Sequence, residues 1–243
     1  QLGGLPMAAG MRTAPEAPFG KPAFSAYMAG NKSPWHDVPL RPYGAHSGEV
    51  NFFCEIPMGA TAKLEVQKEI AHNPVKQDTK KGALRYYTYG ASFFNYGMLP
   101  QTWEDPGIIE SGYKGDNDPL DAMEIGSRPM ALGEVRRVKV LGDIRLIDQG
   151  ELDHKILVIN VDDPLAARVS SVEDLSQHAP GLVAKLVDWL KMYKTTDGKA
   201  ENAFMPGKTP IGAVEAVAVV DQCHTAWQTL QRRGTGSTGF WLK

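Results

Sequence analysis

The sequence predicts a mainly β fold, a mostly antiparallel barrel with helices packed outside it. Three observations lead there. Up to about residue 161, the apolar residues fall in short runs rich in Val, Ile and Leu, or alternate with polar ones. After that the apolar period lengthens to 3.6 residues, so helices are expected only in the final third. Strands followed by helices, rather than the two interleaved, argue for a β core with helices added to it. The chain of 243 residues, 42 % hydrophobic and 22 % charged, fits one globular domain without internal repeats.

Residues 1–34 are rich in Gly, Ala and Pro, with Glu16 the only acid against Arg12, Lys21 and Lys32. They read as a flexible N-terminal arm ahead of one domain over residues 35–243. An acid-poor arm fits what remains of an organelle transit peptide, or equally a tail with no targeting role. Residues 35–40 are the first with enough apolar mass to be anchored. Residues 50–56 read as a buried strand and Pro57-Met58-Gly59 as its turn. Residues 62–68 alternate strictly, with Leu64 and Val66 facing one way and Lys63 and Glu65 the other. On alternation alone, Lys63 and Glu65 would belong to a solvated face. Residues 73–82 form a polar loop, residues 84–87 begin a further strand, and an aromatic stretch runs from Tyr89 to Gly97. Position alone leaves Tyr96 open between core and site.

Residues 134–147 and 154–161 read as two strands. The turn between them is loaded with acids, and Gln149-Gly150 at its tip would place Asp148 and Asp153 at one end of the sheet. Ser170 and Glu173 form a capping box. Leu182, Val183, Leu186, Trp189, Leu190 and Tyr193 then recur at helical spacing, in a helix that ends near Asp197-Gly198. A second helix is expected over residues 212–232, with Val217, Val220, His224 and Trp227 along one face.

Composition narrows the function. A net charge of −2 gives no long-range attraction to nucleic acid or to an anionic membrane. No apolar run approaches the roughly 18 residues of a membrane span. Cys54 lies in an apolar strand and Cys223 on an expected helix, so both read as buried free thiols in a reducing compartment. The six histidines lack the spacing of a zinc site. The chemistry instead concentrates at residues 115–126, where Asp116, Asp118 and Asp121 stand at i, i+2 and i+5. Pro119 biases Asp118 towards an extended conformation, so Asp116 and Asp118 should project from one side, and residues 122–125 read as a short buried strand. Three carboxylates this close repel one another unless cations lie between them, and hard oxygen ligands suit Mg²⁺, Mn²⁺ or Ca²⁺. An EF-hand is excluded. Counting from Asp116, Asp121 stands where that loop needs glycine and Ser127 where it needs glutamate.

Residues 115–121 (GDNDPLD) resemble the signature of the family I soluble inorganic pyrophosphatases. The likeness spans roughly residues 35–232 and is of the eukaryotic type. It includes residues 35–40 (WHDVPL), Glu55-Ile56-Pro57, residues 62–66 (AKLEV), 77–82 (QDTKKG), Asn95-Tyr96-Gly97, residues 100–106 (PQTWEDP) and 148–155, and Tyr193-Lys194 with Asp197-Gly198-Lys199. The resemblance implies a five-stranded OB-like barrel and hydrolysis of pyrophosphate to two phosphates by direct attack of a metal-activated water. Several Mg²⁺ ions per site are implied, with Mn²⁺ as a substitute.

By position, Asp116, Asp121 and Asp153 resemble ligands of a first metal, with Asp121 also reaching a second. Asp148 and Asp153 resemble ligands for a metal arriving with substrate, and Glu65 supports a further one through water. Asp118 resembles the general base and Tyr96 its hydrogen-bonding neighbour. Lys63, Arg85, Tyr193 and Lys194 resemble the clamp on phosphate oxygens, and Glu55 and Lys155 are further charged members of the site. The family commonly has a tyrosine where this chain has Ser92, so another ring must fill that place, with Tyr87, Tyr89 and Phe93 as candidates. The resemblance leaves monomer and homodimer both open. An organelle matrix, chloroplast stroma or mitochondrion, is the expected location, with cytoplasm the alternative.

The physical logic agrees. Pyrophosphate is a compact polyanion, so attack by another anion requires cations on both the nucleophile and the leaving oxygens. A hydrolase of nucleoside polyphosphates would use the same acids but needs an aromatic shelf for the base. A cation-binding protein without catalysis leaves the cationic clamp unmotivated.

Overall fold

β1 (Glu49–Ile56), β2 (Asn95–Met98), β3 (Asp121–Glu124), β4 (Val135–Asp148) and β5 (Glu151–Asn160) form a closed circuit of hydrogen-bonded neighbours. β4 pairs with β1, β1 with β2, β2 with β3, β3 with β5, and β5 returns to β4. Such closure is what makes a barrel. All these pairings are antiparallel except β3 with β5, which is parallel. The structure, a computed structural model, describes residues 5–13, 19–44, 46, 48–207, 209–234 and 238–243.

The period of two sorts the barrel side chains into two cores. Phe52 and Cys54 of β1, Ala122 of β3, and Ile156 and Val158 of β5 pack with Ala216, Val220 and Cys223 of α3 (Ala213–Arg233). Their neighbours Met123, Leu157 and Ile159 join Leu175 of α1 (Val172–His178) and Leu186, Trp189 and Leu190 of α2 (Leu182–Met192). β4 serves both cores. Val138 and Val140 belong to the first, whereas Ile144 and Leu146 belong to the second, because the register shifts between Val140 and Gly142. One extra residue reverses the faces of everything beyond it. Glycine is required at the bulge, since a Cβ on Gly142 would lie 2.6 Å from the Ile211 carbonyl oxygen.

Residues 1–34 differ from the expected flexible arm wherever they are described. Met11–Thr13 pairs with Ala26–Met28, and the pairing continues to Val75–Gln77 and Leu64–Val66 in a four-stranded sheet. Phe24 and Ala26 are buried in a third core with Phe53, Ile56, Leu64 and Met98, which Phe240 and Leu242 close from the other end of the chain. A few apolar anchors outweigh the Gly- and Pro-rich composition, which by itself reads as loop. The remainder of the proposed arm, residues 1–4 and 14–18, lies outside the described residues.

Three local expectations also shift. The α1 cap is Ser171, whose Oγ accepts from Asp174 N at 3.1 Å, one residue later than the expected Ser170/Glu173 pair. Asp174 turns back to accept from Ser170 N at 2.7 Å. Asp116 and Asp118 are joined by a turn rather than a strand: Asn117 has φ +71° and Asp118 N donates to Asp116 Oδ1 at 3.0 Å. The side-chain bond offers the backbone an alternative to the extended form that Pro119 favours. On α3 the buried stripe runs Ala216, Val220, Cys223, Ala226 and Leu230, with His224 and Trp227 at its edge. Cys54 and Cys223 are buried free thiols, and among the described residues no helix is long and apolar enough to cross a membrane.

Candidate active site

A cavity of about 410 Å³ opens at one end of the barrel, and every site residue singled out above lines it. β1 contributes Glu55 and β2 contributes Tyr96. The turn before β3 brings Asp116 and Asp118, and β3 itself begins with Asp121. The β4–β5 hairpin places Asp148 on one arm and Asp153 and Lys155 on the other. Lys63 and Glu65 face this cavity rather than bulk water, as their place in the resemblance implied and alternation alone could not say. Tyr193 ends the apolar stripe of α2, stacked on Trp189 at 4.8 Å, and also lines the cavity beside Lys194.

Close approach of backbones brings β2 against β1. A Cβ at Gly97 would sit 2.0 Å from the Phe53 carbonyl oxygen, so only glycine permits the approach that carries Tyr96 into the cavity.

Three acids crowd together. Oxygens of Glu104, Asp116 and Asp153 lie within 4.8 Å of one another. Burial, reinforced by Asp153 and Asp118, pushes the Asp116 carboxyl well up. Asp153 rises to about 6 through burial, although Lys155 opposes the shift. Burial likewise raises Glu104, with Asp116 and Asp153 adding to it. Such mutual frustration suits hard divalent cations, which would relieve it. Lys155 is the internal cation here. Its Nζ donates to Asp121 Oδ2 at 2.5 Å and to Asp153, and although burial disfavours its charge, these two acids hold it protonated.

Cations line the same cavity, each held on a carboxylate. Lys63 Nζ reaches Glu65 at 2.7 Å and Asp78 at 3.1 Å. Arg85 bonds Asp78 at 2.5 Å and stands 4.0 Å from Asp197. Lys194 pairs with Asp148. Glu55 is buried and accepts from Val66 N at 2.7 Å, with burial and then Asp121 raising its pKa. Asp118 pairs with Lys68, and desolvation by the cavity walls nevertheless raises its pKa. Tyr96 does not contact Asp118 as expected, because its hydroxyl donates to Asp121 Oδ2.

Lys68, Asp78 and Glu104 escaped the sequence reading. Lys68 anchors the Asp118 turn, with its Nζ also donating to the Asn117 carbonyl at 2.8 Å. Strict alternation would put it on the face of Leu64 and Val66, so the strand pattern pointed away from it. Asp78, in a polar loop, and Glu104, whose burial no local pattern reveals, gave no signal. Ser92 is buried and does not line the cavity. The aromatic place beside Tyr193 is taken by Tyr87, edge-on to Trp189 at 5.2 Å and to Tyr193 at 5.9 Å.

Carboxylates and cations gathered in one cavity at a barrel mouth define a metal-dependent enzyme for condensed phosphates. The comparisons with known proteins narrow this. Residues 52–228 match the family model for inorganic pyrophosphatase. The soluble inorganic pyrophosphatase 6, chloroplastic, of Arabidopsis thaliana is 44% identical over 204 residues, 83% of this chain and 67% of that protein. The inorganic pyrophosphatase of Schizosaccharomyces pombe is 43% identical, over 85% of this chain and 74% of its own. The type I inorganic pyrophosphatase of Toxoplasma gondii superposes with a TM-score of 0.84 at 36% identity, covering 90% of this chain and 99% of that one. The truncated Trypanosoma cruzi vacuolar soluble pyrophosphatase in complex with PPi gives 0.85 at 34% identity, covering 93% of each chain. The chain belongs to the inorganic pyrophosphatase family, and it is a hydrolase of inorganic pyrophosphate.

Proposed function

We propose that hydrolysis here is driven by Mg²⁺, with Mn²⁺ as a substitute, and proceeds by direct attack of water with Asp118 as general base. Asp116, Asp121, Asp148 and Asp153 would hold the ions, and Glu65 would support one through water. Once bound, the ions supply positive charge to the attacking and leaving oxygens and acidify water near neutral pH. The observation that carries this reading is one cavity lined both by Asp116, Asp118, Asp121, Asp148 and Asp153 and by Lys63, Arg85, Lys155 and Lys194.

The chain's own groups do the rest. Asp118, its pKa raised by desolvation, accepts the proton of the attacking water. Lys68 keeps its carboxylate oriented. Tyr96 fixes Asp121 through its hydroxyl. Lys63, Arg85, Tyr193 and Lys194 take up phosphoryl oxygens as charge redistributes, the three cations exchanging their internal carboxylate partners for substrate. Glu55 and Lys155 set the charge of the floor between Asp121 and the strand end.

Residues 35–243 act in this reading as one catalytic unit, either monomeric or as a homodimer, which sedimentation would distinguish. An organelle matrix, chloroplast stroma or mitochondrion, is the location favoured by the chloroplastic relative and the acid-poor N-terminal stretch, with cytoplasm the alternative. Imaging of a tagged full-length chain decides between them.

The direct test is phosphate release from pyrophosphate with Mg²⁺, Mn²⁺ or chelator, with ATP as a competing substrate. Release that needs the metal, spares ATP and collapses in Asp118→Asn is expected. Asp118→Asn turning over near the wild-type rate would remove that residue as the base.

A further inference from the structure

One tyrosine in the cavity wall has no task in that scheme. Residues 85–87 run beside residues 61–63: Lys63 N donates to Arg85 O at 3.1 Å, Tyr87 N donates to Thr61 O at 2.7 Å, and Ala62 bridges to Tyr86. Alternation along this ribbon turns Arg85 and Tyr87 to one side and Tyr86 to the other. Accordingly Arg85, Tyr87 and Lys63 line the cavity, while Tyr86 is 40% exposed. The Tyr87 ring is locked by edge contacts with Trp189 and Tyr193 and packs against two of the hydrophobic cores. Lys63 is the charge that acts most strongly on its phenol, followed by Asp121, Lys155 and Glu55.

Tyr87 is half-buried and lines the cavity, where a phenol hydroxyl can serve a ligand as hydrogen-bond donor. Tyr96 has Asp121, but among the described residues the Tyr87 hydroxyl makes no hydrogen bond to the protein. Burial pushes its pKa up to about 12, so at neutral pH it remains a neutral donor. A neutral donor beside two cations is suited to a phosphoryl oxygen, because it adds a hydrogen bond without adding charge.

We propose that the Tyr87 hydroxyl donates a hydrogen bond to a phosphoryl oxygen of the substrate beside Lys63 and Arg85, making Tyr87 a further substrate-binding residue. This rests on the pyrophosphatase reading of the cavity. Tyr87→Phe removes only the hydroxyl and keeps the ring against Trp189, and Tyr86→Phe serves as the outward-facing control. The measurements are KM and kcat for Mg²⁺–pyrophosphate, calorimetric binding of methylenediphosphonate, and Tm. Tyr87→Phe should weaken analogue binding and raise KM by about tenfold or more, the size of a hydrogen bond to a charged acceptor, with Tm unchanged. Tyr86→Phe should match wild type in all of these.

Unaltered KM and analogue affinity in Tyr87→Phe would overturn the assignment. So would equal losses in both variants, which would mark a disturbed ribbon. If wild type binds the analogue but releases no phosphate from pyrophosphate, the hydrolase reading fails on its own. Weaker analogue binding by Tyr87→Phe would still uphold the contact in that event.

Discussion

The reaction cavity and the aromatic cluster around His36 both bury titratable groups, and they do so to opposite ends. In the cluster, His36 is completely partnered. Its Nε2 donates to the Trp241 carbonyl at 3.1 Å, and its Nδ1 accepts from Trp227 Nε1 and Gln231 Nε2, each at 2.9 Å. Its ring lies against Trp35 at 4.4 Å. Burial drives its pKa down to about 4, so it stays neutral and saturated. At the cavity, the carboxylates of Asp116 and Asp153, with Glu104 beside them, are forced together, raised first by burial and then by neighbouring acids. One region is finished by folding alone; the other is left in tension until ions and substrate arrive.

The difference can be broken most forcefully from the cavity side. Asp153→Asn should lower phosphate release by about a hundredfold or more while raising the stability of the metal-free protein, since it relieves repulsion there. An equal loss of activity and stability would mean that Asp153 is a structural acid like any other. Next in size is the response to Mg²⁺. At a hundred times its Kd the ion should stabilise the protein by about 2.7 kcal/mol, roughly 5–10 °C in Tm for a chain of this length, and His36→Gln should keep that shift.

The pH dependence then separates the two regions by sign. His36 has a folded pKa of about 4, below its unfolded value of 6.5, so its contribution is present above 6.5 and lost as pH falls towards 4, about 3 kcal/mol in all. Asp153 has a folded pKa of about 6, above its unfolded 3.8, so its contribution is present below 3.8 and lost as pH rises through 6. Metal-free denaturation curves between pH 4 and 7 should therefore lose their falling component in Asp153→Asn and their rising component in His36→Gln. The smallest effect belongs to Trp227→Phe. Removing one of two donors to His36 Nδ1 should cost about 1 kcal/mol and leave turnover alone. A fall in kcat there would show that the cluster and the cavity are not independent.

The cavity was far more legible in the sequence than the cluster. Acids at i, i+2 and i+5, a second acidic turn and an alternating Lys63–Glu65 strand are local patterns, and locality is what a sequence displays. Alternation could also say that Lys63 and Glu65 share a face, but not whether water or a cavity lay beyond it. What stayed hidden depends on distant partners. Glu104 is buried because β5 offers it the His154 amide, at 3.1 Å. His154 in turn pairs with the fully buried Asp143 at 2.6 Å, across a β4–β5 register displaced by the bulge. The two short strands before residue 34 were masked by their composition, and they owe their order to Val75–Gln77, far along the chain. Tyr96 was placed correctly in the cavity but assigned the wrong carboxylate, a distinction that rests on side-chain direction at the start of β3.

The displaced face of β4 bears on how the molecule comes apart. Because Val138 and Val140 serve one core and Ile144 and Leu146 the other, no cut through the chain separates the two. Loosening α2 from its core frays the same strand that α3 rests on, so neither half has a melting event of its own. Calorimetric and van't Hoff enthalpies of the metal-free protein should then agree, with heat absorbed in a single peak.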